Sequence, residues 1–384
     1  MRFSRLTWSL AAAFLCYGAV VFSFGPCLTS MSDTFHVPVG QLGLIFTLYA
    51  VGLIPSVLLN GYLSEVMGRR LILLGIVLIM AVGCVLFGLV STYGGRYSLA
   101  LALASMVLLG YGGGGIETLT NILITDDNQP APAFALNATH AFFAVGAMLS
   151  PLGVSLLLRS LLPWQFIFYG NAALFAILLV LLFRQRMPSA TAEPFPPKAA
   201  LRLLRFPLVW VLLAMITLYV GAEMGVSAWV SPLMEKVLRT PRELAGLSVS
   251  VFWALMIVGR IVVGPLAIRF RPPPLLFILA SGSAVGAVAI ALSTSATWCL
   301  VMTGFAGLFM SGVFALVLID ASRHFQERLG AVYGIIMTGV GVGSLIIPAA
   351  MGWISEAAGL RAAMAVPIAL MTLVAISYLA RWSQ

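Results

Sequence analysis

Charged side chains are scarce in this sequence of 384 residues: Asp, Glu, Lys and Arg together make up only 9% of it, and hydrophobic residues make up 61%. The mean hydropathy is +1.07. A water-soluble globular protein needs far more charged surface than this, so that class of protein is excluded. The sequence is that of an integral membrane protein.

Residues that bind metals or form disulfides are also few. The four cysteines lie singly in apolar runs without a CxxC spacing, and the three histidines lie far apart in the sequence. No nucleotide-binding loop and no catalytic triad motif is present. We therefore expect no metal, no cofactor and no enzymatic activity.

The net charge of +9 does not indicate a nucleic-acid partner, because the basic residues fall between apolar runs and form no patch interleaved with aromatic residues. Their distribution orients the chain instead. With the N-terminus inside, fifteen of the 21 Lys and Arg residues fall on the cytoplasmic side and six on the outer side. The positive-inside rule then predicts that both termini are cytoplasmic, and we expect a bacterial cytoplasmic (inner) membrane.

Twelve apolar runs, each of about 20 residues or more, are long enough to cross roughly 30 Å of hydrocarbon as helices. The first run follows basic residues, as in a signal peptide, but it continues too far and lacks a convincing cleavage site, so we interpret it as a membrane helix. The predicted helices are at about residues 7–30, 41–64, 71–91, 98–124, 134–158, 164–183, 207–231, 246–268, 274–294, 298–320, 331–353 and 360–380.

The longest polar stretch separates the sixth helix from the seventh. It predicts an N-terminal six-helix bundle over residues 1–183, a cytoplasmic linker over 184–206 and a C-terminal six-helix bundle over 207–384. Similar segments occupy the same place in each half, as CYGAVVFSFGPCLTSM (16–31) and LYVGAEMGVSAWVSPLM (218–234) do in the first and seventh helices. Repeated halves are typical of transporters whose binding site lies near the membrane midplane, between the repeats.

The segment GYLSEVMGRR at residues 61–70 lies between the second and third helices. It resembles the signature of the major facilitator superfamily, with Gly61, Glu65, Gly68, Arg69 and Arg70 in the signature positions. The acid is Glu where Asp is commoner, and the next residue is Val where Arg is usual. The two glycines would permit close helix approach and a tight turn, and Glu65 could pair with Arg69 across a cytoplasmic gate. The resemblance implies an all-α fold of two pseudo-symmetric six-helix bundles, which we expect to be monomeric.

Three further segments resemble the fucose/proton symporter branch of that superfamily, which includes bacterial glucose or mannose/proton symporters. They are LGYGGGGIETLTNILITD (109–126), YVGAEMGVSAWVSPLM (219–234) and SVSVFWALMIVGRIVVGPL (248–266). The fucose transporter carries an acid in its first helix, and this chain has none there. The resemblance implies that Glu117 is the acid that takes up the proton.

Glu117 follows four consecutive glycines in the fourth helix. On a helix it shares a face with Gly113, Gly114, Thr120 and Asn121, so this face is small and polar. The glycines could let another helix approach or could leave volume for a ligand. A carboxyl group in a membrane interior favours its protonated form, which suits a proton carrier, although it could also merely tie helices together.

The fourth and fifth helices are predicted to form a hairpin around the turn DDNQPAP (126–132). Counting equally outward from this turn places Glu117 opposite His140 and Asn121 opposite Asn137. We predict that these four side chains form one polar cluster that binds substrate and exchanges the proton.

The seventh helix supplies a second acid within the membrane, Glu223, with Tyr219 one turn before it and Ser227 one turn after. We expect Glu223 to take part in proton coupling or to bind ligand, although it could also merely tie helices together, and we expect its two neighbours to bind substrate. Trp229 and Trp253 could stack on the apolar face of a sugar ring, although each of them could instead only pack against other helices.

These features predict a secondary active transporter that moves a small polar solute, a sugar above all, by alternating access coupled to protons. An alternative is a proton-coupled efflux antiporter for drugs or amphiphiles, because GAMLSPLG (146–153) partly resembles a signature of such antiporters, with Ser150 in place of a glycine. A receptor built on a transporter scaffold is disfavoured by the presence of both the gate segment and the membrane acids.

Overall fold

The computed structural model describes residues 3–93, 97–128, 132–188, 203–325 and 329–379, and in these ranges the chain is helical between short connections. A short 3-10 turn covers Val39–Gly43. The helices are α1 (Arg5–Val21), α2 (Phe24–Phe35), α3 (Leu44–Met67), α4 (Arg69–Tyr93), α5 (Ser98–Asp127), α6 (Pro132–Arg159), α7 (Phe166–Phe183), α8 (Pro207–Lys236), α9 (Arg242–Arg269), α10 (Pro272–Ala291), α11 (Ala296–Met310), α12 (Val313–His324), α13 (Leu329–Ala358), α14 (Leu360–Ala363) and α15 (Ala365–Leu379).

Within the described ranges these helices form twelve segments that are long and apolar enough to cross a membrane, so the prediction of twelve spanning helices is confirmed. Eight spans are single helices, and the second combines the 3-10 turn Val39–Gly43 with the first part of α3. The first consists of α1 and α2, the tenth of α11 and α12, and the twelfth of α14 and α15.

The chain divides into two compact units, Met1–Pro194 and Phe195–Gln384. In the first unit α1 packs on α6, α3 on α5 and α4 on α7; in the second, α8 packs on α13, α9 on α11 and α10 on α15. Each unit therefore pairs its first span with its fifth, its second with its fourth and its third with its sixth, which is the pseudo-symmetry that the repeated segments predict. Most of the predicted linker, 184–206, lies outside the described residues.

Helices α3 and α5 are in backbone contact through glycines. A Cβ atom at Gly110 of α5 would overlap the carbonyl oxygen of Tyr49, and one at Gly52 of α3 would overlap the carbonyl oxygen of Val107. Backbone atoms cannot move aside as a flexible side chain can, so only glycine permits this approach.

The four consecutive glycines of α5 are all buried against neighbouring helices. A Cβ atom at Gly112 or Gly115 would meet Met80 or Ile76 of α4, whereas one at Gly114 would meet the backbone of Leu53 in α3. The run of glycines therefore fits α5 between α3 and α4. Of the two uses that the sequence allowed, close helix approach is the one that the structure has.

Reciprocal glycines recur at the equivalent crossings of both units, and in nearly every case the added Cβ atom would meet backbone of the partner helix. The pairs are Gly18 with Gly146 for α1 and α6, Gly221 with Gly343 for α8 and α13, and Gly259 with Gly307 for α9 and α11. The same packing solution is therefore used at four crossings, two in each unit.

The first span is broken between α1 and α2, where the sequence predicted one continuous helix. Ser23 lies at the break, and its hydroxyl donates to the carbonyl oxygen of Ala19 at 2.7 Å. Its oxygen also lies 2.7 Å from the hydroxyl of Ser150 on α6 and accepts from the amide of Asn171 on α7 at 3.4 Å. These bonds satisfy the polar groups of a break that is buried in the first unit.

The glycine contacts generate a stability prediction. We expect Gly110→Ala to lower the unfolding temperature by several degrees, because the added methyl group forces α3 and α5 apart at a cost of about 1–3 kcal/mol. A thiol-reactive fluorescent dye can follow unfolding in detergent, since all four cysteines are free and buried.

The matched control is Gly75→Ala in α4, where an added Cβ atom would meet nothing within 4 Å. We expect this variant to be neutral or slightly stabilised, because alanine favours a helix more than glycine does. Equal unfolding temperatures for the two variants would contradict the role of Gly110.

Candidate functional site

Three of the four predicted cluster residues meet between α5 and α6. The amide nitrogen Nδ2 of Asn121 donates to Oε1 of Glu117 at 3.2 Å. The amide oxygen Oδ1 of Asn121 lies 3.0 Å from Nε2 of His140. Asn121 thus bridges the other two residues. The side chain of Asn137 lies outside those that the structure describes.

The direction of these bonds follows from the chemistry of the amide. Only Nδ2 of Asn121 can donate to a carboxylate oxygen, so Oδ1 is the atom that faces His140, and Nε2 of His140 must then carry a hydrogen. The imidazole ring also packs against Phe14 of α1, with ring centroids 4.5 Å apart. Donation therefore runs from His140 through Asn121 to Glu117, and a proton gained at Glu117 would disturb the bridging bond.

Two tyrosines approach Glu117 from other helices of the same unit. Tyr17 of α1 is 6% exposed and Tyr49 of α3 is 8% exposed, and both lie within electrostatic reach of the Glu117 carboxyl group. The hydroxyl of Tyr49 would touch a Cβ atom at Gly113, so this glycine makes room for it.

The Tyr49 hydroxyl also lies within hydrogen-bonding reach of the Tyr17 hydroxyl, so the two phenol groups form a pair beside Glu117. No sequence pattern identifies Tyr49, because it lies in an apolar stretch of α3 far from Glu117 in the chain.

The acid of the second unit, Glu223, is 6% exposed and accepts a hydrogen bond of 2.8 Å from the hydroxyl of Tyr219 through Oε1. This pair follows the predicted stripe of α8. Ser227 lies one turn further along and is also buried, and its hydroxyl has no hydrogen-bonding partner among the described residues.

Arg260 is one of the fifteen basic residues that the charge count places on the cytoplasmic side. The structure corrects this. Arg260 lies inside α9, about nine residues or ~13 Å before its end at Arg269. Its guanidinium group lies within electrostatic reach of the Glu223 carboxyl group and the Tyr219 hydroxyl. An arginine within an apolar run is itself the signal that could have identified this residue. Without Arg260, fourteen basic residues lie on the predicted cytoplasmic side and six on the outer side, so the predicted orientation of the chain is unchanged.

The two tryptophans proposed for sugar stacking are almost fully buried within the second unit. The indole nitrogen of Trp229 donates to the carbonyl oxygen of Pro348 in α13 at 3.0 Å. Trp253 packs edge to face on Phe252, with ring centroids 5.9 Å apart. Both side chains pack between helices, and their stacking on a sugar stays a prediction.

The gate segment makes the turn between α3 and α4. Gly68 has φ +94°, a conformation that favours glycine, and this explains the glycine at the turn. A Cβ atom at Gly61 would lie 3.8 Å from Thr118, which is ordinary contact. Gly61 is therefore not needed for close helix approach, contrary to the expectation from the sequence.

Arg69 forms an ion pair with Asp126 at the end of α5, with 5% and 32% of the two side chains exposed. The sequence suggested Glu65 as its partner, and the side chain of Glu65 lies outside those that the structure describes. Because α5 continues to Asp127, the two aspartates lie in a helix and not in the predicted turn. A negative charge at a helix C-terminus opposes the helix dipole, so Asp126 needs a cation.

Asp127 is satisfied differently. It accepts hydrogen bonds from Ser4 and Thr7, the latter at 2.6 Å, at the N-terminus of α1. A carboxylate is favourable there because the free backbone amides carry partial positive charge. The end of α5 is thereby attached to the start of α1.

Arg70 attaches the start of α4 to the end of α7. Its guanidinium group donates to the carbonyl oxygen of Phe183, one of the last carbonyls of α7, which lack helical partners. The same group lies 5.2 Å from the centroid of the Phe183 ring. The two arginines of the gate segment therefore hold α4 against both α5 and α7.

Comparison with known proteins gives consistent matches over the whole chain. The sequence profile of the Major Facilitator Superfamily matches residues 10–302 and 212–383. Protein TsgA of Salmonella typhimurium is 25% identical over 366 residues, which cover 94% of this chain and 90% of that protein.

Two solved structures share the fold. A D-xylose-proton symporter superposes with a TM-score of 0.82 at 16% identity and covers 97% of this chain and 96% of its own. The E. coli fucose:proton symporter FucP superposes with a TM-score of 0.66 at 18% identity and covers 98% of both chains. At these identities the likeness extends to the fold alone.

The Arg69–Asp126 pair generates the second prediction. We expect Asp126→Asn to destabilise the protein by roughly 2 kcal/mol, less than the 3–5 kcal/mol of a fully buried pair because Asp126 stays about a third exposed. The cost arises because Arg69 remains buried without its counter-ion. Thermal unfolding in detergent measures it.

The control is Glu235→Gln, which removes the carboxylate 2.8 Å from Arg242. The cation left behind is 36% exposed, against 5% for Arg69, so water can solvate it and we expect a smaller effect. An Asp126→Asn variant no less stable than Glu235→Gln would argue against the role of the Arg69 pair.

Proposed function

Because the chain belongs to the major facilitator superfamily, a family of transporters and not of enzymes, we propose that it is a proton-coupled secondary transporter of a small polar solute, with a sugar as the first candidate. Family membership confirms the resemblance seen in residues 61–70. The solute would be carried by alternating access, in which the binding site opens to each side of the membrane in turn. We further propose the bacterial cytoplasmic membrane as the location.

The observation that carries the proposal is the chain of hydrogen bonds that ends at Glu117. Acids inside membrane helices are rare and mark proton or substrate pathways. Glu117 is partly buried, and its hydrogen-bond donor, Asn121, is a neutral amide. Such a carboxyl group can exist without its proton or with it, and His140 on the far side of Asn121 can respond to the change.

A polyhydroxylated solute suits the groups around Glu117. Carboxylate, amide and phenol groups all exchange hydrogen bonds with hydroxyls, and Glu117, Asn121 and Tyr49 supply one of each. The xylose and fucose symporters that share the fold carry such solutes with protons, which supports the same class here.

The alternative is proton-coupled efflux of drugs or amphiphiles. The sequence feature that suggested it centres on Ser150, and this residue bonds Ser23 at the break of the first span. A local structural role thus accounts for Ser150. We keep efflux as an outcome of the test below.

The third prediction tests proton coupling. With purified protein in liposomes, addition of a transported sugar should make the outside more alkaline, because protons enter with the sugar. Glu117→Gln should abolish this proton movement, since glutamine has the shape of the protonated acid and cannot release a proton. External pH and radiolabelled sugar uptake should be recorded together.

The control is Glu356→Gln, which replaces an exposed acid near the end of α13 and should leave both signals at the wild-type level. Cationic dyes are offered in parallel. Proton flux of the opposite sign with dyes and no response to sugars would reject sugar symport in favour of efflux. Unchanged proton movement in Glu117→Gln would remove that residue from coupling.

A further inference from the structure

We infer that Asn121 is a two-position switch between Glu117 and His140: its amide makes a proton on Glu117 and a hydrogen on Nε2 of His140 mutually exclusive. His140 therefore gives up its Nε2 hydrogen when Glu117 takes up a proton. This inference rests on the proposed function, since it describes how the proton site of that transport changes state. It makes Asn121 a positioning residue, because the amide itself does not hold the proton.

The amide of Asn121 can bridge its two neighbours in either of two orientations. Nδ2 lies 3.2 Å from Oε1 of Glu117, and Oδ1 lies 3.0 Å from Nε2 of His140. The two ends of an amide group are nearly equal in size, so a half-turn exchanges its donor and its acceptor and leaves both distances almost unchanged. The exchange therefore needs no movement of α5 or α6.

Each orientation allows a different set of protons. With Nδ2 toward Glu117, the ionised carboxylate accepts and Nε2 of His140 donates to Oδ1. After the half-turn Oδ1 faces Glu117 and accepts from its protonated carboxyl group, while Nδ2 faces His140 and needs an Nε2 atom without hydrogen. Other combinations set donor against donor or acceptor against acceptor, which is costly where water is scarce.

The His140 ring is held in place by α1. It packs on Phe14, with ring centroids 4.5 Å apart, and Phe14 is fully buried. Helices α1 and α6 are also in backbone contact at Gly18 and Gly146. The ring can therefore answer a turn of the amide only by a change of proton. A neutral ring moves its hydrogen from Nε2 to Nδ1, and a doubly protonated ring releases the Nε2 hydrogen to water.

Other titratable groups face Glu117 from the neighbouring helices. Tyr17 of α1 and Tyr49 of α3 lie beside it as a pair of phenols, and the thiol of Cys84 in α4 lies within electrostatic reach of Tyr49. Phenols and thiols ordinarily lose their hydrogens at higher pH than carboxylic acids and imidazoles do. These three groups therefore stay neutral while Glu117 and His140 exchange protons.

The fourth prediction is that His140 responds to pH in the opposite sense to an ordinary histidine. In NMR spectra of protein with isotope-labelled histidine, in lipid nanodiscs without substrate, the Nε2–H signal of His140 should be lost as the pH falls. Infrared difference spectroscopy follows the proton on Glu117 by the carbonyl stretch of its protonated carboxyl group. Loss of the Nε2–H signal and growth of the carboxyl band should share one pH midpoint.

The signals can be assigned because the chain has three histidines. The NMR signal should be missing in His140→Gln, and the infrared band should be missing in Glu117→Gln. His36 is exposed and serves as the internal reference, which should gain a hydrogen as the pH falls.

Asn121→Leu removes the bridge and keeps the shape of the side chain. The two midpoints should then separate, and His140 should gain a hydrogen at low pH as His36 does. The matched control is Thr118→Val on the same helix, whose hydroxyl donates to the carbonyl oxygen of Gly114 at 2.9 Å. This variant should keep the shared midpoint.

The wild-type spectra decide the question even if Asn121→Leu fails to fold. A His140 Nε2–H signal that persists while the carboxyl band reaches full intensity would overturn the switch, and so would a Glu117 band that does not change with pH. A shared midpoint that survives in Asn121→Leu would show that the amide is not the link.

The two proposals fail in different ways. If sugar-driven proton movement is absent in the wild type, proton coupling of transport is rejected, while the spectra still report on the switch. If proton movement is present and the two signals change independently, coupling stands and the switch is wrong.

Discussion

Contact between helix backbones at glycine is the constraint on which the rest of the structure depends. Inside a bilayer the hydrophobic effect does not draw helices together, so close approach and van der Waals contact must do so. Gly52 and Gly110 bring α3 against α5, and Gly18 and Gly146 bring α1 against α6. These two crossings determine which side chains surround Glu117, because Tyr49 comes from α3, Tyr17 from α1 and His140 from α6.

Charge plays a separate and more local part. In the first unit it acts at helix ends, where Asp126 and Asp127 meet Arg69 and the N-terminus of α1. In the second unit an acid lies inside the span, where Glu223 accepts a hydrogen bond from Tyr219. The ends are thus secured by ion pairs and capping bonds, while the interior keeps few charges, each beside a specific partner.

The sequence predicted what periodicity and composition encode: the twelve helices, the small face of α5 and the stripe of Tyr219 and Glu223. It missed contacts between residues far apart in the chain, such as Arg69 with Asp126, since periodicity carries no information about them. For the hairpin of α5 and α6, the sequence predicted that these residues meet but not which of them are in direct contact. Counting from its expected turn paired Glu117 with His140, but α5 ends at Asp127 and α6 begins at Pro132, so the true centre lies later and Asn121 meets His140 instead.

The glycine crossings also bear on how each unit could deform. A side chain at a helix interface can change rotamer and absorb a displacement, but a glycine against a carbonyl oxygen has no such freedom. With two crossings of this kind in each unit, the helices that they join have little room to change their spacing, so each pair is expected to move as one body.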